Sequence, residues 1–311
     1  MTMRVRLGKT ELFINPVGLG TNYVGGHNIY PDADEEAGRE LLRTGINNGL
    51  NFIDTAFMYG PKRSEELIGE VVKELGVRSE VVIATKASYK FVGKDVVHDN
   101  SPSFLKQSVE DSLQRLQTDY IDLFYIHFPD KDTSKDEAVG VLKKLKDEGK
   151  IRAIGVSNFS IDQLKEANKD GHVDVYQGEY NLINRSAEIE LFPYALQHGI
   201  SYVPYFPLAS GLLTGKYDLN TDVSGKRGKY FKEGVYERNI QKVERIRKIA
   251  QEKGVEVSHI VLAWYLSRDA IDAIIPGAKK AEQVLRNLRT LEVNLTKDEI
   301  DQIDQNFKEL I

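Results

Sequence analysis

A chain of 311 residues, 41% hydrophobic and 29% charged, can bury a large core and is not a disordered chain. At ~150 residues per domain the length allows two domains, while barrels of ~250 residues form one. Lys plus Arg number 42 against 47 Asp plus Glu, and the net charge of −5 argues against a nucleic-acid partner held through its phosphates.

The absence of cysteine excludes disulfides, Cys-ligated zinc, iron–sulfur clusters and thiol nucleophiles. The start, MTMRVRLGKTELF, lacks the ~7–15 apolar residues of a signal peptide, and no stretch reaches the ~18 of a membrane span. A cytoplasmic protein without a membrane partner is expected.

In chain order, residues 4–15 (RVRLGKTELFIN) read as a short hairpin turning at Gly8 and Lys9, placed to close the bottom of a barrel. Eight β-branched, apolar runs bounded by Gly, Pro, Asn or Asp follow: 16–21, 51–56, 81–86, 121–127, 152–158, 174–181, 200–207 and 272–278. Helical periodicity fills the intervals, as in EEAGRELLRTGINNGL, where Ala37, Leu41, Leu42 and Ile46 share a face. Ser101 and Ser160 precede helical runs, and Ser160 with Gln163 makes a capping box. At the end, Thr296 with Glu299 starts a helix whose Ile300, Ile303 and Phe307 form a docking face. This alternation predicts an α/β fold, a (β/α)₈ TIM barrel in one domain over 1–311, with a doubly wound open sheet as the competitor.

Several familiar motifs fail. Gly18-Leu19-Gly20 begins a dinucleotide fingerprint, but Tyr23 stands where its third Gly belongs. The run from Gly211 to Lys216 has three residues between its glycines, where a phosphate loop has four, and Tyr217 replaces Ser or Thr. No Gly-x-Ser-x-Gly elbow exists. The six histidines are too dispersed for a metal pair on one helix, so no metal is expected.

Barrel chemistry sits at the C-terminal ends of strands, and here those ends are polar. Asp54 ends the second run with Tyr59 five residues on, Lys86 ends the third, His127 the fourth, Ser157 and Asn158 the fifth, and Gln177 lies on the sixth. Singly, each has a structural reading: Tyr59 as packing, Lys86 as a salt-bridge partner, Asp54 as a turn cap, His127 as a satisfied imidazole. Together, at three successive strand ends, they read as a catalytic ring.

The run NFIDTAFMYG followed by SEELIG, then DYIDLFYIHFPD, IRAIGVSNFS, VPYFPLASGLLTGKY and IPGAKKAEQV, resembles the motifs of the aldo-keto reductases in their order. The resemblance spans nearly the whole chain. It looks most like the bacterial, channel-β-subunit-like branch, and is similar to the Bacillus reductases encoded with inositol-catabolism genes. It implies Asp54, Tyr59, Lys86 and His127 as the catalytic tetrad. Hydride reduction of a carbonyl leaves an alkoxide that needs a proton, and Tyr59 would give it. A free phenol titrates near ~10, and Lys86, oriented by Asp54, would bring it closer to working pH, while His127 holds the carbonyl oxygen.

The resemblance also implies NADPH/NADP as cofactor, with Tyr205 stacked on the nicotinamide and Ser157, Asn158 and Gln177 on its carboxamide. It adds Gly20, Thr21, Asp54, Pro207, Leu208, Ser210 and Gly211 to the cofactor site. The long, lysine-rich 210–238 connection reads either as a solvated loop or as a lid whose Lys216 and Arg227 touch the pyrophosphate. The 2′-phosphate is expected at the helix start after the eighth strand, by Gly277, Lys279, Gln283, Arg286 and Asn287, where backbone N–H groups and cations favour an anion. Tyr23, Phe57, Tyr89 and Phe128 suggest an aromatic pocket for a small carbonyl substrate. A monomer or weak oligomer is expected. The competing functions are a Schiff-base aldolase or isomerase using Lys86, and a cofactor-binding sensor or channel-associated subunit with little turnover.

Overall fold

The computed structural model describes residues 4–224 and 228–308. It begins with an antiparallel hairpin, β1 (Val5–Arg6) and β2 (Phe13–Ile14), whose turn passes through Gly8 at φ 54°. Leu7, Leu12 and Ile14 are buried together with Phe52, Val82, Leu123, Val175 and Val203, whose side chains fill the barrel. Gly8 N–H donates to Asp272 Oδ2 at 2.7 Å, and Lys9 N–H to Gly199 O at 3.1 Å. The hairpin therefore seals the N-terminal end, as its apolar residues and Gly turn predict.

The barrel staves are β3 (Leu19–Gly20), β4 (Phe52–Asp54), β5 (Val82–Ala87), β8 (Ile121–Ile126), β9 (Ile151–Ser157), β10 (Val175–Glu179) and β11 (Ser201–Tyr205), all parallel and adjacent in that order. Between β5 and β8 the chain inserts a second hairpin, β6 (Tyr89–Val92) with β7 (Asp95–His98), absent from the sequence reading. The eighth run closes the ring through two parallel bridges, Val17 with Ile274 and Gly20 with Gly277, while Tyr202 N–H reaches Ala270 O at 2.8 Å. Pro276 has no N–H to give, which keeps this ladder thin. Closure at both edges rejects the open sheet: the fold is a (β/α)₈ barrel.

Helices α1 (Glu35–Asn47), α2 (Arg63–Leu75), α3 (Pro102–Arg115), α4 (Lys135–Asp147), α5 (Ile161–Ala167), α6 (Leu191–His198), α7 (Val235–Lys253), α8 (Val257–Tyr265), α9 (Ala281–Leu288) and α10 (Lys297–Phe307) follow the staves. Leu41 and Leu42 are buried on α1 as their spacing requires. The Ser160–Gln163 box starts α5, with bonds of 3.2 and 2.9 Å, whereas Ser101 makes no capping bond and Pro102 opens α3 instead. Ile303 and Phe307 dock α10, each worth about 1.5–3 kcal/mol when fully buried. Asp304 fixes the angle by accepting from Trp264 Nε1 at 2.9 Å and pairing with Arg268 at 3.0 Å.

Candidate active site

The last residue of β4, Asp54, and Lys86 of β5 are 1% and 0% exposed, and Lys86 Nζ donates to Asp54 Oδ1 at 2.5 Å and to Thr55 O at 2.7 Å. From β10, across the barrel, Gln177 Nε2 donates to Asp54 Oδ2 at 2.9 Å. Both carboxylate oxygens thus have donors, without which burying such a pair costs several kcal/mol. Gly155 on β9 leaves room for the Tyr125 ring, whose centre lies 5.5 Å from Lys86 Nζ, because a Cβ there would meet that ring at 2.2 Å.

Tyr59 sits in the turn after β4. Asn28 brackets it, donating from Nδ2 to Met58 O at 3.0 Å and accepting from Gly60 N–H at 2.8 Å. Gly60 has φ 62°, and a side chain there would strike Gly25 O. Lys86 Nζ lies 5.5 Å from the Tyr59 ring centre, and the His127 ring meets Tyr59 edge-on at 6.5 Å. His127 follows β8, held by its N–H to Ala87 O at 2.9 Å, while its buried Nδ1 has no hydrogen-bond partner among the described residues.

Burial lowers the His127 pKa well below its ordinary value, helped by the Lys86 charge, so the ring is neutral. Burial also lowers that of Lys86, against the pull of Asp54. For Tyr59 the direction corrects the sequence expectation: burial, then the Asp54 carboxylate, pushes the phenol well above its ordinary value. Lys86 turns its ammonium to Asp54 and Thr55, so its field is spent there. Tyr59 keeps its proton at neutral pH, as a proton donor must.

These groups stand at one end of a cavity of about 1430 Å³ whose wall runs through Gly20, Ser157, Asn158, Gln177 and Tyr205, along Pro207, Leu208, Ser210, Gly211 and Lys216, to Gly277, Lys279, Gln283, Arg286 and Asn287. Tyr205 OH donates to Asn158 Oδ1 at 2.8 Å, and Asn158 Nδ2 to His127 O at 3.1 Å, tying two walls together. Phe206, Ala209 and Ser210 all have positive φ, each costing roughly 1–2 kcal/mol, and Tyr265 OH to Pro207 O at 2.6 Å helps hold that bend.

Not every expected residue faces the cavity. Thr21 is fully buried behind it, its N–H and hydroxyl both donating to Asp54 O at 2.9 Å, and Lys86 acts from behind the wall. Arg227 lies outside the described residues. Of the pocket aromatics, Tyr23, Tyr89 and Phe128 line it, but Phe57 packs against Phe91 at 6.0 Å.

Sequence reasoning missed Asn22, Asn28 and Tyr30 in the loop after β3, Phe206, and Arg247, Gln251 and Glu256 near the α7–α8 junction, all on the wall. At the far end Lys279 Nζ is 3.6 Å from Asp32 and 4.5 Å from the Tyr30 ring centre, and Arg286 Nε is 3.4 Å from Glu256. Gln283 Oε1 accepts from Lys279 N–H at 2.7 Å and Lys280 N–H at 3.2 Å. No group of three or more His, Asp or Glu among the described residues is placed to hold a metal, and no helix there is long and apolar enough to cross a membrane.

Residues 16–307 match the model of the aldo/keto reductase family. Aldo-keto reductase YhdN of Bacillus subtilis is 35% identical over 89% of this chain and 85% of its own. The NADH-specific methylglyoxal reductase of Escherichia coli is 33% identical over 94% of each. In structure, the glycerol dehydrogenase of Gluconobacter oxydans superposes with a TM-score of 0.89 at 32% identity, covering 97% of this chain and 94% of that one. An aldo-keto reductase of Klebsiella pneumoniae in complex with NADPH gives 0.75 at 29% identity over 99% and 95%.

Proposed function

The chain belongs to the aldo/keto reductase family, and we propose that it is a single-domain, NADPH-dependent oxidoreductase that reduces an aldehyde or ketone to an alcohol. One observation carries the reading: Tyr59, a protonated buried phenol, and neutral His127 meet at the inner end of a cavity whose outer end holds Lys279 and Arg286. At about 1430 Å³ the space exceeds the ~300–1,000 Å³ of an ordinary small-ligand pocket, enough for a dinucleotide together with a substrate. The His127 and Tyr205 rings, both at the wall, fit the same occupants.

NADPH, when bound, supplies the hydride. The chain does the rest. Tyr59 OH gives its proton to the carbonyl oxygen as negative charge grows there, typically worth 10²–10⁴-fold for a positioned acid. His127 donates a hydrogen bond to the same oxygen, orienting the carbonyl. Lys86 and Asp54 are positioning groups that fix the β4 and β5 ends beside Tyr59. Ser157, Asn158 and Gln177 place the nicotinamide amide, and Lys216 and the bend at Ser210–Gly211 border the pyrophosphate. A Schiff-base role for Lys86 is disfavoured by its position behind the wall, held by two acceptors.

The NADPH reading draws support from the Klebsiella complex, while the Escherichia coli relative is NADH-specific by name. The site accommodates small carbonyl compounds, and a cytoplasmic monomer or weak oligomer remains the expected setting. The deciding experiment is a panel of aldehydes and ketones followed by loss of NADPH absorbance, beside a fluorescence titration of NADPH. Tight binding without turnover on any carbonyl would instead assign a cofactor-reading sensor or channel-associated subunit.

A further inference from the structure

Two of the cations expected to meet a 2′-phosphate, Lys279 and Arg286, are each already paired with a carboxylate of this chain. Arg286 faces Glu256 at 3.4 Å, and Lys279 faces Asp32 at 3.6 Å while lying over Tyr30. The backbone donors at 279 and 280 are occupied by Gln283. The spacing between Glu256 and Arg286 is set from beneath by His259, which is 1% exposed. Its Nδ1 accepts from Glu256 N–H at 3.3 Å, and its Nε2–H donates to Arg286 O at 2.9 Å. One buried ring thus joins the start of α8 to α9 and presets the pair above it.

We propose that Glu256 is a specificity-determining residue that keeps the preference for NADPH over NADH small; this rests on the cofactor reading above. A 2′-phosphate, at nearly two negative charges, must draw Arg286 from Glu256 and then sit beside that carboxylate. A 2′-hydroxyl meets no such repulsion and donates a hydrogen bond to the same oxygen. Both side chains are about half exposed, at 49% and 50%, so water and salt damp the effect without cancelling it.

Calorimetric titration of NADP⁺ and NAD⁺ into wild type, Glu256→Gln, Arg286→Ala and the double variant tests this without turnover. The wild-type affinities should lie within about tenfold of each other. In Glu256→Gln, which keeps the size and hydrogen-bonding capacity of the side chain, the NADP⁺-to-NAD⁺ affinity ratio should rise roughly threefold to tenfold. Part of that rise should persist in the Arg286→Ala background, where the direct repulsion between Glu256 and the phosphate is still there to relieve. An unchanged or lower ratio in Glu256→Gln overturns the proposal. A wild type that binds neither nucleotide overturns the cofactor reading itself, a result readily told apart from the others.

Discussion

The two ends of the cavity carry the same kind of charge pair in opposite surroundings. At the inner end Asp54 and Lys86 touch at 2.5 Å with almost no exposure, and each has a further fixed partner. At the outer end Arg286–Glu256 and Lys279–Asp32 stand at 3.4 and 3.6 Å, open to water. Two unit charges 4 Å apart interact by about 4 kcal/mol at an effective dielectric of 20 but about 1 kcal/mol in water. The inner pair therefore acts as a rigid strut that chemistry can rely on, and the outer pairs as adjustable weights that a ligand can displace.

The comparison breaks first at Lys86. Lys86→Met keeps the bulk but strips Asp54 of its buried counter-charge, and urea unfolding should show a loss of about 3–5 kcal/mol. A loss under about 1 kcal/mol, the range of exposed pairs, would place the two ends in the same class. Tyr59→Phe comes next: carbonyl reduction should fall ~10²-fold or more while NADPH titration stays close to wild type, since only the acidic proton is removed. Turnover near the wild-type rate would move the acid elsewhere.

A smaller effect follows from His127. Its folded-state pKa lies below the unfolded value of ~6.5, so on acidification the unfolded chain takes up the proton first. Stability is fully present above ~6.5 and declines below it by up to about 1.4 kcal/mol per pH unit, toward the folded pKa. Melting curves between pH 5 and 7 should show this slope, flattened in His127→Gln; parallel slopes would mean that the ring is charged or not buried. The smallest change is expected at the rim, where Lys279→Ala should weaken NADPH binding about tenfold or less and lose even that effect in high salt. A salt-insensitive loss would show the outer end to be as dry as the inner one.

The inner end was legible in the sequence because strand ends in a barrel point one way, so Asp54, Lys86 and His127 needed only their positions in the alternation. Thr21 shows the limit: it sits at the right strand end, but its hydroxyl turns back to Asp54 O, a choice made by tertiary contact. The outer wall was harder. Arg247, Gln251 and Glu256 lie on or just after α7, 240 or more residues into the chain, where periodicity marks a helix face without saying that the face borders a ligand. The β6–β7 hairpin had a signal that went unread: YKFV and DVVH flank Gly93, whose φ of 61° suits a tight turn. The Tyr59 phenol was misjudged because the attraction of a cation was weighed without the cost of burial, which here is the largest influence.

The seal at the bottom of the barrel also sets a clock. Gly8 waits for Asp272, 264 residues later, and Val17 for Ile274. At synthesis rates of ~5–20 residues per second, those partners emerge roughly 10–50 s after the segment that needs them. Through that interval Leu7, Leu12 and Ile14 leave the ribosome with no barrel interior to enter, and the first stave has a free edge. The earliest residues to be made are among the last to be finished, so a nascent chain stalled before residue 272 presents these apolar side chains, still without their partners, to the cell.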